Sequence, residues 1–226
     1  MIKSKKDYFY YLEADRIALS KPKGEMLSFS SRIKAYFFPD YIWMFQKTLR
    51  KLEYLKNTNK NLFDKVIYFF VLRKFYKLSY KLGFTIPVNV FGPGLSIAHY
   101  GTIIINTRTK VGANCRIHAG VNMGTEAGFA DRAPAIGDNV YIGPGAKLFG
   151  PITIPDNTAI GANAVVNKSF ETERTVLGGI PAKVISENID IDDMLIRATK
   201  IIELGLNKEE LAGRPAKEIK ELLRKN

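Results

Sequence analysis

From Ile136 onward an aliphatic side chain returns at every sixth position: Ile136, Ile142, Leu148, Ile154, Ile160 and Val166. Four residues after each stands a mostly small or β-branched one, namely Val140, Ala146, Ile152, Thr158, Ala164 and finally Phe170. Gly often follows the aliphatic residue, at Gly137, Gly143 and Gly161. A period of six is neither the 3.6 of a helix nor the 2 of a half-exposed strand. It is the period of a solenoid whose flat faces are short strands joined by tight corners, three faces making a coil of about eighteen residues. Gly145, Asn139, Asn157 and Asn163 fall at corners, where the backbone needs positive φ. The pattern predicts a mainly β chain, a left-handed parallel β-helix.

The register runs backward through Met123, Ile117, Val111 and Ile105, then, after a two-residue slip at Ile103–Ile104, through Ile97 to Phe91. It breaks at Gly124 and resumes at Ile136. The residues between, 125–135, are too many for a corner and predict a loop thrown out of the coil, a common place for function.

Residues 1–85 carry no hexads and read as helical: Asp7 to Leu19, Tyr41 to Leu55, and about Leu62 to Lys81 with Gly83 as the stop. In the second helix, Ile42, Phe45, Leu49 and Leu52 oppose an outward Lys47, Arg50 and Lys51. In the third, Phe63, Ile67, Phe70, Val71, Lys74 and Leu78 share a face, and the abundant Tyr and Phe predict packing against the coil or a neighbouring subunit. Residues 191–226 read as two short helices, the second capped by Asn207 with Glu210 three residues on and a basic end at Lys220–Lys225. These segments are expected to cover the open ends of the solenoid. The expected units are a helical 1–85, a β-helix over 86–186 and a C-terminal helical extension over 187–226.

Charge changes this picture in one respect. The net charge is +12, and residues 1–85 hold 18 Lys or Arg against 7 Asp or Glu. A basic helical segment would suit an anionic membrane face or an acidic glycan; no nucleic-acid motif accompanies it. The single cysteine, Cys115, falls at a small hexad position and reads as core, which excludes an intrachain disulfide framework. No leader-like run opens the chain and no apolar run approaches the ~20 residues of a membrane span. A cytoplasmic protein, peripheral at most to the inner membrane face, is expected.

The only two histidines, His99 and His118, both lie in the coil. Counting hexads through the slip puts them on one face, one coil apart and outside the aliphatic column. Two imidazoles that close can act as a base with its orienting partner, or as metal ligands.

With His99 in Ile97-Ala-His-Tyr-Gly-Thr-Ile103, Asp131-Arg132 in the loop, Ile142-Gly-Pro-Gly-Ala-Lys147 and Gly179-Ile-Pro-Ala-Lys183, residues 84–185 resemble the serine O-acetyltransferase branch of the hexapeptide acyltransferases. The resemblance implies an acetyl-CoA-dependent enzyme without a metal, assembled as a homotrimer or a hexamer. It implies His99 as general base and Asp131, Arg132 and Asn122 at the acceptor; His118 stands where those enzymes generally carry an aliphatic residue, and would orient His99 or replace a histidine that they carry in the loop. Acetyl-CoA would meet Gly124 near the thioester, Pro144 and Ala162 along the pantetheine, and Lys168 or Lys183 near the phosphates.

Three departures stand against serine as acceptor. The Asp that precedes the base in that family is Ala98 here, the Asp fifteen residues earlier is Phe84, and the loop His is Ala133. They point to an acceptor without a positive charge, and the short basic N-terminal segment is similar to that of polysaccharide-locus acetyltransferases. The resulting expectation is acetyl transfer to a sugar hydroxyl of a capsular or lipopolysaccharide glycan. Serine itself is the alternative; a zinc lyase on the same coil and a non-catalytic trimeric scaffold are two further ones.

Overall fold

The structure, a computed structural model, describes residues 1–21, 33–34, 36–58, 61–206, 218 and 221. The hexads fold as three columns of short strands wound about one apolar axis, a left-handed parallel β-helix. One face stacks β1 (Phe84–Thr85), β3 (Ile103–Ile105), β6 (Asn122–Gly124), β9 (Lys147–Phe149) and β12 (Val165–Val166). A second stacks β4 (Lys110–Val111), β7 (Ala135–Ile136) and β10 (Thr153–Ile154). The third stacks β2 (Ser96–Ile97), β5 (Arg116–Ile117), β8 (Tyr141–Ile142), β11 (Ala159–Ile160), β13 (Val176–Gly179) and β14 (Ala182–Ser186).

The pairing shows why the repeat is read every sixth residue. Ile142 pairs with Ile160 and Ile136 with Ile154, each one coil of eighteen residues apart. Ile97 pairs with Ile117, twenty apart, which absorbs the slip. Val111–Ile136 and Ile117–Ile142 are twenty-five apart, because the loop after Gly124 leaves the coil there. Ile97, Ile103, Ile117, Met123, Ile142, Leu148, Ile160 and Val166 are at most 1% exposed. Burying each such side chain contributes roughly 1.5–3 kcal/mol. Cys115 joins them in the core.

At one corner a ladder of asparagines runs up the coil. Asn114 Nδ2 donates to Asn139 Oδ1 at 2.9 Å, Asn139 Nδ2 to Asn157 Oδ1 at 3.0 Å, and Asn157 Nδ2 to Glu173 Oε2 at 2.9 Å. All three asparagines hold φ near +56°, where Asn is tolerated and Ala is strained. Asn139→Ala is expected to lower stability by about 2 kcal/mol, from two lost hydrogen bonds and the strained turn. A denaturant midpoint equal to the wild type's would contradict this.

The N-terminal end of the coil is closed by helices α1 (Lys5–Ala18), α2 (Tyr41–Thr58) and α3 (Leu62–Leu82). Ser4, Asp40 and Asn61 side chains accept from first-turn amides, and Gly83 at φ +77° ends α3. Phe45, Leu49, Leu52, Phe75, Leu78 and Leu82 continue the same core as Phe84, Phe91 and Leu95.

Arg50, expected outward, is fully buried and fastens this cap to the coil. Its guanidinium donates to Asp15 at 2.8 and 3.1 Å, to Glu53 at 3.0 Å, and to the carbonyls of Phe91 and Gly92 at 2.9 and 2.7 Å. Asp15 also accepts from the amides of Gly94 and Leu95, and Glu53 from that of Asn89. Burial pushes the Glu53 carboxyl above its ordinary range despite Arg50.

Two further expectations are corrected. The buried face of α3 is Phe75, Leu78 and Leu82, whereas Phe63, Phe69, Phe70, Tyr76 and Tyr80 are exposed. At the far end, the described residues close the coil with the antiparallel pair β13–β14, joined through a cis Ile180–Pro181 bond, in place of the expected helix. The chain instead returns along the third face, where Ile191 and Leu195 cover Ala159. It then forms α4 (Ala198–Glu203), which docks Ala198 and Ile201 on Ala14 and Ile17 of α1. The second expected C-terminal helix, from Asn207, lies outside the described residues. No described helix is long and apolar enough to cross a membrane.

Candidate active site

His99 and His118 occupy the corner between the third and first faces, just past β2 and β5. Pairing of Ile97 with Ile117 sets them one coil apart, and their ring centroids are 5.8 Å apart. His99 is exposed; His118 is half-buried beside the Tyr141 ring, 5.1 Å between centroids. The Nε2 of His118 is buried with no hydrogen-bond partner among the described residues.

Burial, then Arg116 and His99, hold the His118 imidazole below its ordinary 6.5, which favours the neutral ring. A base with a depressed folded value contributes stability above its unfolded 6.5 that is lost as pH falls through the folded value. The ring-proton NMR titration of His118 is expected to show a midpoint below 6.5; one at or above it would contradict this environment.

Ala119, Pro144, Ala162 and Gly179 follow the same corner upward, one per coil, with Asn163 N bonded to Pro144 O and Gly145 N to Ala119 O. The row is half-exposed at Ala119 and exposed above it; its own side chains are short, and Lys147 Nζ donates to the neighbouring carbonyls of Gly120 and Gly145 at 2.5 and 2.8 Å. Lys183 of β14 pairs with Gly178 at its upper end. Asn122 opens β6 on the histidine side of the first face.

The other expected site residues stand elsewhere. Gly124 ends β6 at the opposite edge of that face, about 7 Å from Asn122 along two steps of strand. Lys168 follows β12 at that same far edge, over the Phe170 ring. The loop leaves from there too, carrying exposed Asp131 and Arg132. Arg132 pairs with Glu126 at 2.9 Å and lies over Phe129 at 3.9 Å, and Glu126 N donates to Arg132 O at 2.9 Å, so the loop is braced on itself. Within one chain, therefore, Asp131, Arg132, Gly124 and Lys168 are not brought to the histidines. Among the described residues no three His, Cys, Asp or Glu side chains gather as a metal site.

Arg116 and Tyr141 flank the histidines and were not singled out from sequence. The signal was present for Arg116: it precedes His118 by two residues, so the pleat sends both outward on one side.

No family model matches the chain. It is 38% identical over 103 residues to the serine acetyltransferase of Mycobacterium tuberculosis, covering 45% of this chain and 44% of that one. It is 37% identical over 103 residues to the serine acetyltransferase of Helicobacter pylori, covering 45% and 60%. The chain thus spans about half the length of the curated relatives it matches. Among solved structures it is similar to a Brucella abortus serine acetyltransferase in complex with coenzyme A, with TM-score 0.62, 24% identity and coverage of 81% and 69%. It is also similar to a soybean serine acetyltransferase complexed with serine, with TM-score 0.61, 22% identity and coverage of 80% and 70%. At these identities the solved structures speak for the fold alone.

Proposed function

We propose that the protein is an acetyl-CoA-dependent O-acetyltransferase and that serine supplies the acceptor hydroxyl. The observation that carries this is the exposed His99 imidazole beside His118 at the foot of a straight row of small corner residues. The row fits the donor. A pantetheine arm is narrow and extended, and at Ala119, Pro144, Ala162 and Gly179 no bulky group would hold it off the backbone. Lys183 at the upper end would meet the phosphates. Acetyl-CoA there supplies an activated acyl carbonyl. His99 takes the proton of the acceptor hydroxyl as its oxygen bonds to that carbonyl; the carbon–sulfur bond breaks and the thiol leaves with a proton.

Gly124, Asp131, Arg132 and Lys168 sit at the opposite edge of the face, so a second copy must bring them to the histidines. A homotrimer, in which that edge of one subunit meets the histidine corner of the next, does so. There the backbone N–H at Gly124 would stabilise the oxyanion. The Arg132–Glu126 pair is nearly half-exposed on both sides and contributes little to stability.

Serine as acceptor rests on the names of the relatives. A sugar hydroxyl, the expectation from sequence, finds no counterpart among them. One observation still favours an acceptor other than serine: Ala98, the core residue Phe84 (3% exposed) and Ala133 put no carboxylate or imidazole at those three positions. Incubation with acetyl-CoA and serine, with the product identified by mass, tests the acceptor. O-acetylserine is expected; its absence at saturating donor would remove serine.

A further inference from the structure

A cavity of about 190 Å³ opens beside the candidate base, between the end of α1, the start of α2 and the third face of the coil. Ser96, Ala98 and Arg116 form its coil side, and Ser20, Lys21 and Asp40 its helical side. Ala98 lines the cavity and is the residue next to His99, which places the cavity mouth on the histidine side of the third face.

The charges in this cavity are not equivalent. Asp40, the only carboxylate that lines it, is engaged on both oxygens. Oδ1 accepts from the Trp43 amide at 3.0 Å as the cap of α2, and Oδ2 meets Lys21 Nζ at 2.5 Å. Burial alone would raise the Asp40 carboxyl, but Lys21 and these amides hold it below its ordinary range. Lys21 is in turn fixed, since Arg16 donates to its carbonyl while bracing on Glu13. Arg116, by contrast, is half-buried and has no carboxylate partner among the described residues. A half-buried guanidinium without a counter-ion retains several donors in a planar fork suited to a carboxylate or a phosphate.

We propose that this cavity is the acceptor subsite and that it selects an anionic group, carboxylate or phosphate, through Arg116, while its described residues offer no free carboxylate to an ammonium. It deepens the acetyltransferase reading and rests on it for the fate of the hydroxyl. The acceptor class is then a hydroxy acid or a phosphate-bearing alcohol. Serine is admitted through its carboxylate, and its amino group goes unread.

The test compares four acceptors with acetyl-CoA: serine, glycerate, glycerol phosphate and serinamide. Glycerate, glycerol phosphate or both should be acetylated with kcat/KM within about tenfold of serine; the pair separates carboxylate from phosphate. Serinamide, which keeps the ammonium and loses the anion, should be worse by roughly tenfold to a hundredfold, the size of one charge-assisted hydrogen bond. Arg116→Gln should raise KM for the anionic acceptors by a similar factor and leave KM for acetyl-CoA unchanged. Lys21→Met, which releases Asp40, should raise serinamide relative to serine. Serinamide as good as serine with the wild type, or an unchanged acceptor KM in Arg116→Gln, would overturn the proposal. Calorimetric titration of the full chain with glycerate reads the cavity without turnover. Binding lost in Arg116→Gln, with no acetylation of any acceptor, would leave the subsite standing and sink the acetyltransferase. Serine turnover with an unchanged Arg116→Gln would do the reverse.

Discussion

His99→Ala is expected to lower kcat by about 10²- to 10⁴-fold, the usual share of a positioned general base. The KM for acetyl-CoA should change little, because the row from Ala119 to Gly179 is untouched. His118→Ala is expected to cost less. Its ring is half-buried beside Tyr141 and Arg116, whereas His99 is exposed, which suits an orienting neighbour more than the group that meets the acceptor. Steady-state rates of the two variants decide this. Equal losses would make the pair one unit, and an active His99→Ala would return the scaffold reading to the front.

The second large effect is on stability. Arg50→Met removes the one cation that neutralises Asp15 and Glu53, each at most 2% exposed, and strips the donors from two coil carbonyls. Removing one partner of a buried pair leaves the other charges without compensation, at a cost of about 3–5 kcal/mol. In a protein of this size that corresponds to a melting temperature lower by roughly 6–20 °C. Combining it with Asp15→Asn should recover part of the loss, since fewer uncompensated charges remain. Thermal unfolding of the three proteins checks both statements. A shift below about 2 °C for Arg50→Met would contradict the account of how the helices are fastened to the coil.

Arg50 also shows where sequence reading stops. On a helix that carries Lys47 and Lys51, an arginine looks like one more solvated charge, and its partner Asp15 lies thirty-five residues away with no spacing that announces it. The coil was legible for the opposite reason. A six-residue period is enforced by the stacking itself, so even the slip at Ile103–Ile104 and the loop after Gly124 could be counted, and with them the adjacency of His99 and His118. The cavity beside His99 was not legible, because Lys21, Asp40 and Arg116 come from three separate segments that only the docking of the helices brings together. Nor was the outward turn of Phe69, Phe70, Tyr76 and Tyr80, whose helix is apolar on more sides than it can bury.

Release of thiol from acetyl-CoA by the purified protein, in parallel with free serine and with a deacetylated capsular or lipopolysaccharide glycan, decides both the chemistry and the acceptor. Serine-dependent release that is lost in His99→Ala is expected. Release on the glycan alone would keep the chemistry and overturn the acceptor. Release with neither would contradict the assignment of the His99 corner as an acetyl-transfer site.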